Sequence, residues 1–100
     1  MAPRVTGDWP LEAFVGDVLV FTLSGEHLAG ITGGSITPMG KHITIELGDP
    51  LGRLGGPAKH SDTELTLTIT IGAKTYAGEK RVLLHSPEGD SQPLPLLVMM

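Results

Sequence analysis

The chain is predicted to be all-β, a single antiparallel sandwich of about seven strands. Three observations carry that expectation. Leu65, Leu67, Ile69 and Ile71 alternate strictly with Thr66, Thr68 and Thr70, the period of a strand with one face in a core. Fourteen Gly and eight Pro divide the chain at short intervals. Helical spacing is confined to residues 11–15, boxed in by Pro10 and Gly16.

In order, residues 4–6 read as a first strand or arm, with an extension over 12–15. Residues 17–24 (DVLVFTLS) form a strong strand with Val18, Val20 and Thr22 on one face and Leu19, Phe21 and Leu23 on the other. Both faces being apolar suggests a central strand or contact with another chain. After the turn-rich GEHLAGITGG comes a short strand near 35–37, then 41–47 (KHITIEL) with Ile43, Ile45 and Leu47 inward. Residues 48–60 (GDPLGRLGGPAKH) hold four Gly and two Pro and read as a long loop. Strands at 63–71, 78–85 and 94–99 complete the set, with Pro87-Glu88-Gly89-Asp90 supplying turn geometry. The expected core is Val18, Val20, Ile43, Ile45, Leu65, Leu67, Ile69, Val82 and Leu84, with the threonine face toward solvent or a partner.

One hundred residues suit one domain, and 40% hydrophobic with 18% charged residues makes it globular rather than disordered. Residues 1–15 read as an arm or first edge strand and 16–100 as the sandwich. Seven basic against eleven acidic residues, scattered, give −4 and prepare no surface for nucleic acid or anionic lipid. With no cysteine, disulfides and thiolate metal sites are excluded. MAPRVTGDWPLEAF lacks the charged start and apolar stretch of a signal peptide, and no apolar run approaches the length of a membrane span.

Four stretches, in order, resemble the immunoglobulin-like TIG/IPT domains of the early-set group. Gly16-Asp17-Val18-Leu19-Val20-Phe21-Thr22-Leu23-Ser24-Gly25 resembles the opening strand and its glycine, followed by Glu26-His27-Leu28 as a loose match to the next step. Ser61-Asp62-Thr63-Glu64-Leu65-Thr66 resembles the family's "sdteltvtv" strand. Ala77-Gly78-Glu79-Lys80-Arg81-Val82 resembles "a-G-x-r-x-V", and Ser86-Pro87-Glu88-Gly89-Asp90-Ser91 the "n-p-d-G-x-S" hairpin. The match covers residues 16–98 and implies an immunoglobulin-like sandwich. Two departures stand out: PRVTGDWPLEAF replaces the usual "I-x-x-I-x-P" strand, and the 48–60 loop is long and glycine-rich.

Candidate chemistry is sparse. His60-Ser61-Asp62 contains triad residue types, but consecutive residues cannot converge on one acyl group and no GxSxG is present, so a turn is expected. His27, His42, His60 and His85 are dispersed without HxH or HExxH spacing, so no metal site is assigned. Asp8/Glu12, Asp17/Glu26 and Glu88/Asp90 lack the density of a calcium loop. The 48–60 loop, with Arg53 and Lys59, could offer N–H groups to a phosphate but lacks GK[ST] and a following helix, so it reads as a contact loop. Trp9 reads equally as a cap on the core or an interface anchor. No catalytic residue and no cofactor is assigned.

The expected working surface combines Val5, Trp9, Leu11 and Phe14 of the arm, Leu94, Leu96, Leu97 and Met99 of the last strand, and Arg53 of the loop. Two functions are weighed, both non-enzymatic and both acting through a protein partner or self-association. One is a small assembly subunit, such as a decoration or accessory protein of a phage particle. The other, implied by the resemblance, is a spacer or protein- or carbohydrate-binding module of a larger surface or secreted protein. The first places the chain in a virion or the cytoplasm, the second at the cell surface or outside.

Overall fold

The computed structural model describes residues 1–7, 9–37 and 42–100. Among these residues nine strands follow in chain order: β1 (Arg4–Val5), β2 (Glu12–Phe14), β3 (Val18–Glu26), β4 (Gly33–Thr37), β5 (Ile43–Leu47), β6 (Glu64–Ile71), β7 (Gly78–Ser86), β8 (Gly89–Asp90) and β9 (Leu94–Met99). A single 3₁₀ turn, Leu28–Gly30, links β3 to β4. The first sheet has the order β1-β3-β6-β5, and the second β2-β9-β7-β4 with β8 beside β7. The two sheets face each other as a sandwich with extents of 35 × 29 × 20 Å. Among the described residues no helix is long and apolar enough to cross a membrane.

Register explains the core. On β6, Leu65, Leu67 and Ile69 lie opposite Leu23, Phe21 and Leu19 of β3, and Leu67, Ile69 and Ile71 opposite Leu47, Ile45 and Ile43 of β5. From the second sheet come Val82 and Leu84 of β7, Leu94, Leu96 and Val98 of β9, and Ala13 of β2. Leu28 and Ile31 fill in from the 3₁₀ turn. Each such leucine or isoleucine taken from water contributes about 1.5–3 kcal/mol. Lys80 also occupies an inward position, opposite Leu96 and 4% exposed, so its stem runs along the core.

The arm contributes to both sheets. Arg4 and Val5 pair with Glu26 and Gly25, and a Cβ at Gly25 would collide with the Arg4 carbonyl oxygen, so this approach requires glycine. The chain then changes sheets, and Glu12, Ala13 and Phe14 pair with Leu97, Val98 and Met99. That pair is parallel, where an antiparallel fold was expected. The strand count exceeds about seven because the arm yields two short strands and the hairpin turn a third.

The inward face of β3 also differs from expectation. Leu23 is fully buried and Leu19 and Phe21 pack on the core, whereas Val18 and Val20 are half-buried on the outer side. The facing β6 residues decide the matter, since Val18 and Val20 lie opposite Thr70 and Thr68. Ile43 and Ile45 point inward but stay half-buried, because β5 ends its sheet. Lys41, the expected start of that strand, lies outside the described residues.

The candidate interaction face

The sandwich has two outer faces, and they are finished differently. On the first sheet, Thr66 and Thr68 are fully buried although they point away from the core. The 48–60 loop covers them. Gly48, at φ 85°, turns the chain onto this face, and its carbonyl accepts the Thr68 hydroxyl at 2.9 Å. Lys59 N–H donates to Thr66 Oγ1 at 2.9 Å, while Thr66 N–H donates to the Lys59 carbonyl at 2.8 Å. Thr22 and Thr66 hydroxyls meet at 2.8 Å. The threonine face is thus a platform for the loop and not a surface open to solvent.

The same bonds bear on the phosphate reading of the loop. The carboxylate of Asp49 accepts the Arg53 and Leu54 N–H groups at 3.0 and 2.8 Å, so an internal anion already holds those donors. Lys59 pairs with Glu64 at 3.3 Å. Arg53 is exposed in this loop, over the first sheet and apart from the other expected contact residues.

The outer face of the second sheet carries no such cover among the described residues. β9 alternates: Leu94, Leu96 and Val98 face the core, while Pro95, Leu97 and Met99 face out. Beside them on β2, Phe14 is 52% exposed, and Leu11 just before it is 60% exposed. Glu79 and Arg81 of β7 share this face, opposite Leu97 and Pro95. Leu11, Thr37, Glu79, Arg81, Pro95 and Leu97 help line an open cleft of about 350 Å³. Of the residues expected to interact, Leu11, Phe14, Leu97 and Met99 therefore meet on one face. Val5, Leu94 and Leu96, at 7%, 5% and 1% exposure, are core residues instead. Trp9 stands between the roles weighed for it: half-buried, edge-on to Phe21 at 5.4 Å, with Nε1–H donating to the Pro95 carbonyl at 2.7 Å.

A hydrogen-bonded chain that sequence reading missed crosses the same face. Asp90 Oδ1 lies 2.7 Å from His85 Nδ1, and His85 Nε2 lies 2.8 Å from Ser35 Oγ. These are the contacts of a Ser-His-Asp relay. None of the three lines the cleft beside Leu97. Their geometry ties β4, β7 and β8 together. His60, Ser61 and Asp62 do not converge; Ser61 instead closes a turn, its Oγ accepting the Glu64 N–H at 3.1 Å.

The remaining acidic residues also serve locally. Asp17 accepts the Phe14 N–H at 2.9 Å, near the start of β3, while Glu26 lies at its far end. Glu88 pairs with the Met1 ammonium, which holds its carboxyl below the usual range. Asp8, paired with Glu12 in the sequence reading, lies outside the described residues. Among the described residues no group of three or more His, Asp or Glu is placed to hold a metal ion.

No protein-family model matches the chain, and no curated protein matches it. Among solved structures it is similar to SGBP-B of the Bacteroides ovatus mixed-linkage glucan utilization locus, determined in complex with a mixed-linkage heptasaccharide. The likeness has a TM-score of 0.56 at 18% identity and covers 97% of this chain and 23% of that one. At that identity it is a likeness of fold, and the chain spans about a quarter of the other's length.

Proposed function

We propose that this chain is a non-enzymatic, TIG/IPT-like immunoglobulin module of a larger surface or secreted protein, serving as a spacer with one protein-contact face. The observation that carries the reading is the contrast between the two outer faces: one covered by its own loop, the other uncovered among the described residues, with Leu11, Phe14, Leu97 and Met99 set among the charged Glu12, Glu79 and Arg81. Contiguous exposed apolar surface is uncommon on monomers and marks interaction sites.

Two further observations support it. The Glu88 turn and the Val15–Met99 contact lie at opposite ends of the strands. A nine-residue strand such as β3 spans about 30 Å, so each module adds that much reach. The SGBP-B likeness is to one part of a much longer chain. Protein contact is favoured over carbohydrate because the face carries a single exposed ring, Phe14, and its apolar part is otherwise aliphatic: Leu11, Pro95, Leu97 and Met99, flanked by Glu12, Glu79 and Arg81. A decoration subunit of a phage particle would use the same face, and the likeness to a glycan-binding protein's domain favours the surface module.

Calorimetric titration with mixed-linkage gluco-oligosaccharides tests the choice. A spacer with a protein-contact face gives no saturable heat. Saturable binding lost on changing Phe14 or Leu97 would make the face a saccharide site and overturn the proposal.

A further inference from the structure

The bare face is complementary to itself, and we infer that its partner is a second copy of this chain, packed sheet to sheet about a two-fold axis. The inference rests on the reading of this face as a protein-contact surface. Its first support is charge. Glu79 and Arg81 stand two residues apart on β7, both exposed and both pointing outward. The ion pairs among the described residues are Met1–Glu88, Lys59–Glu64 and His85–Asp90, and neither Glu79 nor Arg81 belongs to them. A two-fold axis lying in the interface and crossing β7 at residue 80 sets Glu79 of each copy opposite Arg81 of the other. Such self-complementarity is what an isologous interface requires.

The same axis aligns the apolar residues. Because Glu79 and Arg81 lie opposite Leu97 and Pro95, Leu97 of the second copy comes over Pro95. There it enters the cleft between Leu11 and Arg81. Strands of the two copies then run in nearly aligned directions, as packed sheets do, about 10 Å apart. The opposite face cannot serve equally, because the 48–60 loop already occupies it.

Sedimentation equilibrium from about 1 μM to 1 mM, a range spanning weak and moderate association, tests this with four proteins. The parent chain is expected to dimerise, and Leu97→Glu to remain monomeric, its dissociation constant raised on the order of 30-fold or more. Arg81→Glu sets carboxylates against carboxylates and weakens the dimer about 10–100-fold. Glu79→Arg combined with Arg81→Glu restores the pairing and most of the affinity. Arg81 is exposed, so that pair of variants stays informative even if Leu97→Glu unfolds. A parent chain monomeric at 1 mM overturns the inference and leaves the module reading to the saccharide titration. A dimer unaffected by Leu97→Glu, or a double variant no better than Arg81→Glu alone, overturns it too.

Discussion

Truncating Leu23 and Val20 separately tests the orientation of β3. The strand is apolar on both sides, and the sequence reading placed the wrong pair, Val18 and Val20, in the core. Leu23 is fully buried against Leu65, while Val20 is half-buried on the outer face against Thr68. Leu23→Ala removes three carbons, and at about 0.8 kcal/mol each the transfer loss alone is ~2.4 kcal/mol. The cavity left behind brings the expected cost to about 2–5 kcal/mol. Val20→Ala removes two carbons that are already half in water, so its cost is about 0.8 kcal/mol. For a domain of this size those figures lower Tm by about 8–40 °C and 3–6 °C. Urea unfolding followed by circular dichroism gives both costs directly, with unchanged m-values showing that the denatured state is unaltered. If Val20→Ala costs as much as Leu23→Ala, β3 faces the other way and the account of both sheets fails.

Three further outcomes are expected. Thr66→Val leaves the Lys59 N–H without its acceptor and costs about 1–3 kcal/mol; faster proteolysis within residues 48–60 reports the released loop, and unchanged cleavage would show that other contacts hold it. Gly25→Ala drives a Cβ into the Arg4 carbonyl, so hydrogen exchange should show the Thr6 amide, which bonds the Ser24 carbonyl, unprotected while β6 stays closed; a Thr6 amide as protected as in the parent contradicts the close approach. Ser35→Ala removes one bond of the His85 relay and lowers stability by about 0.5–1.5 kcal/mol, with no change in hydrolysis of p-nitrophenyl acetate; turnover dependent on Ser35 would make the clamp a catalytic site.

What the sequence disclosed follows from the range of the interactions. Alternation at Leu65, Leu67, Ile69 and Ile71 is local, and it placed β6 and its inward face. The turn at residues 87–90 is local too: Ser86 Oγ accepts the Glu88 N–H, and Gly89 takes φ 127°. That hairpin also sets His85 opposite Asp90, so half of the relay was readable from its register. Ser35 was not, because it arrives from a strand fifty residues earlier. The cover over Thr66 and Thr68 depends on Gly48 and Lys59 returning across the sheet, which no periodicity announces. On β9 the parity of Leu94 and Leu96 against Leu97 and Met99 was legible, yet only pairing with β7 shows which set is buried. The arm's parallel pairing with β9 joins residues more than eighty positions apart and left no local trace.

One outer face of the sandwich is closed by the 48–60 loop, and the other is open among the described residues. The chain has no cysteine, so single thiols can be placed at will. Labelling rates of Thr68→Cys and Leu97→Cys, compared at low micromolar concentration, test the claim most directly. Thr68 is fully buried and Leu97 half-buried, so the thiol at 68 should react only through local opening of the loop, on the order of 100-fold or more slowly than the thiol at 97. A thiol at 68 that reacts as fast as one at 97 would show that the loop does not close the threonine face, and would contradict the account.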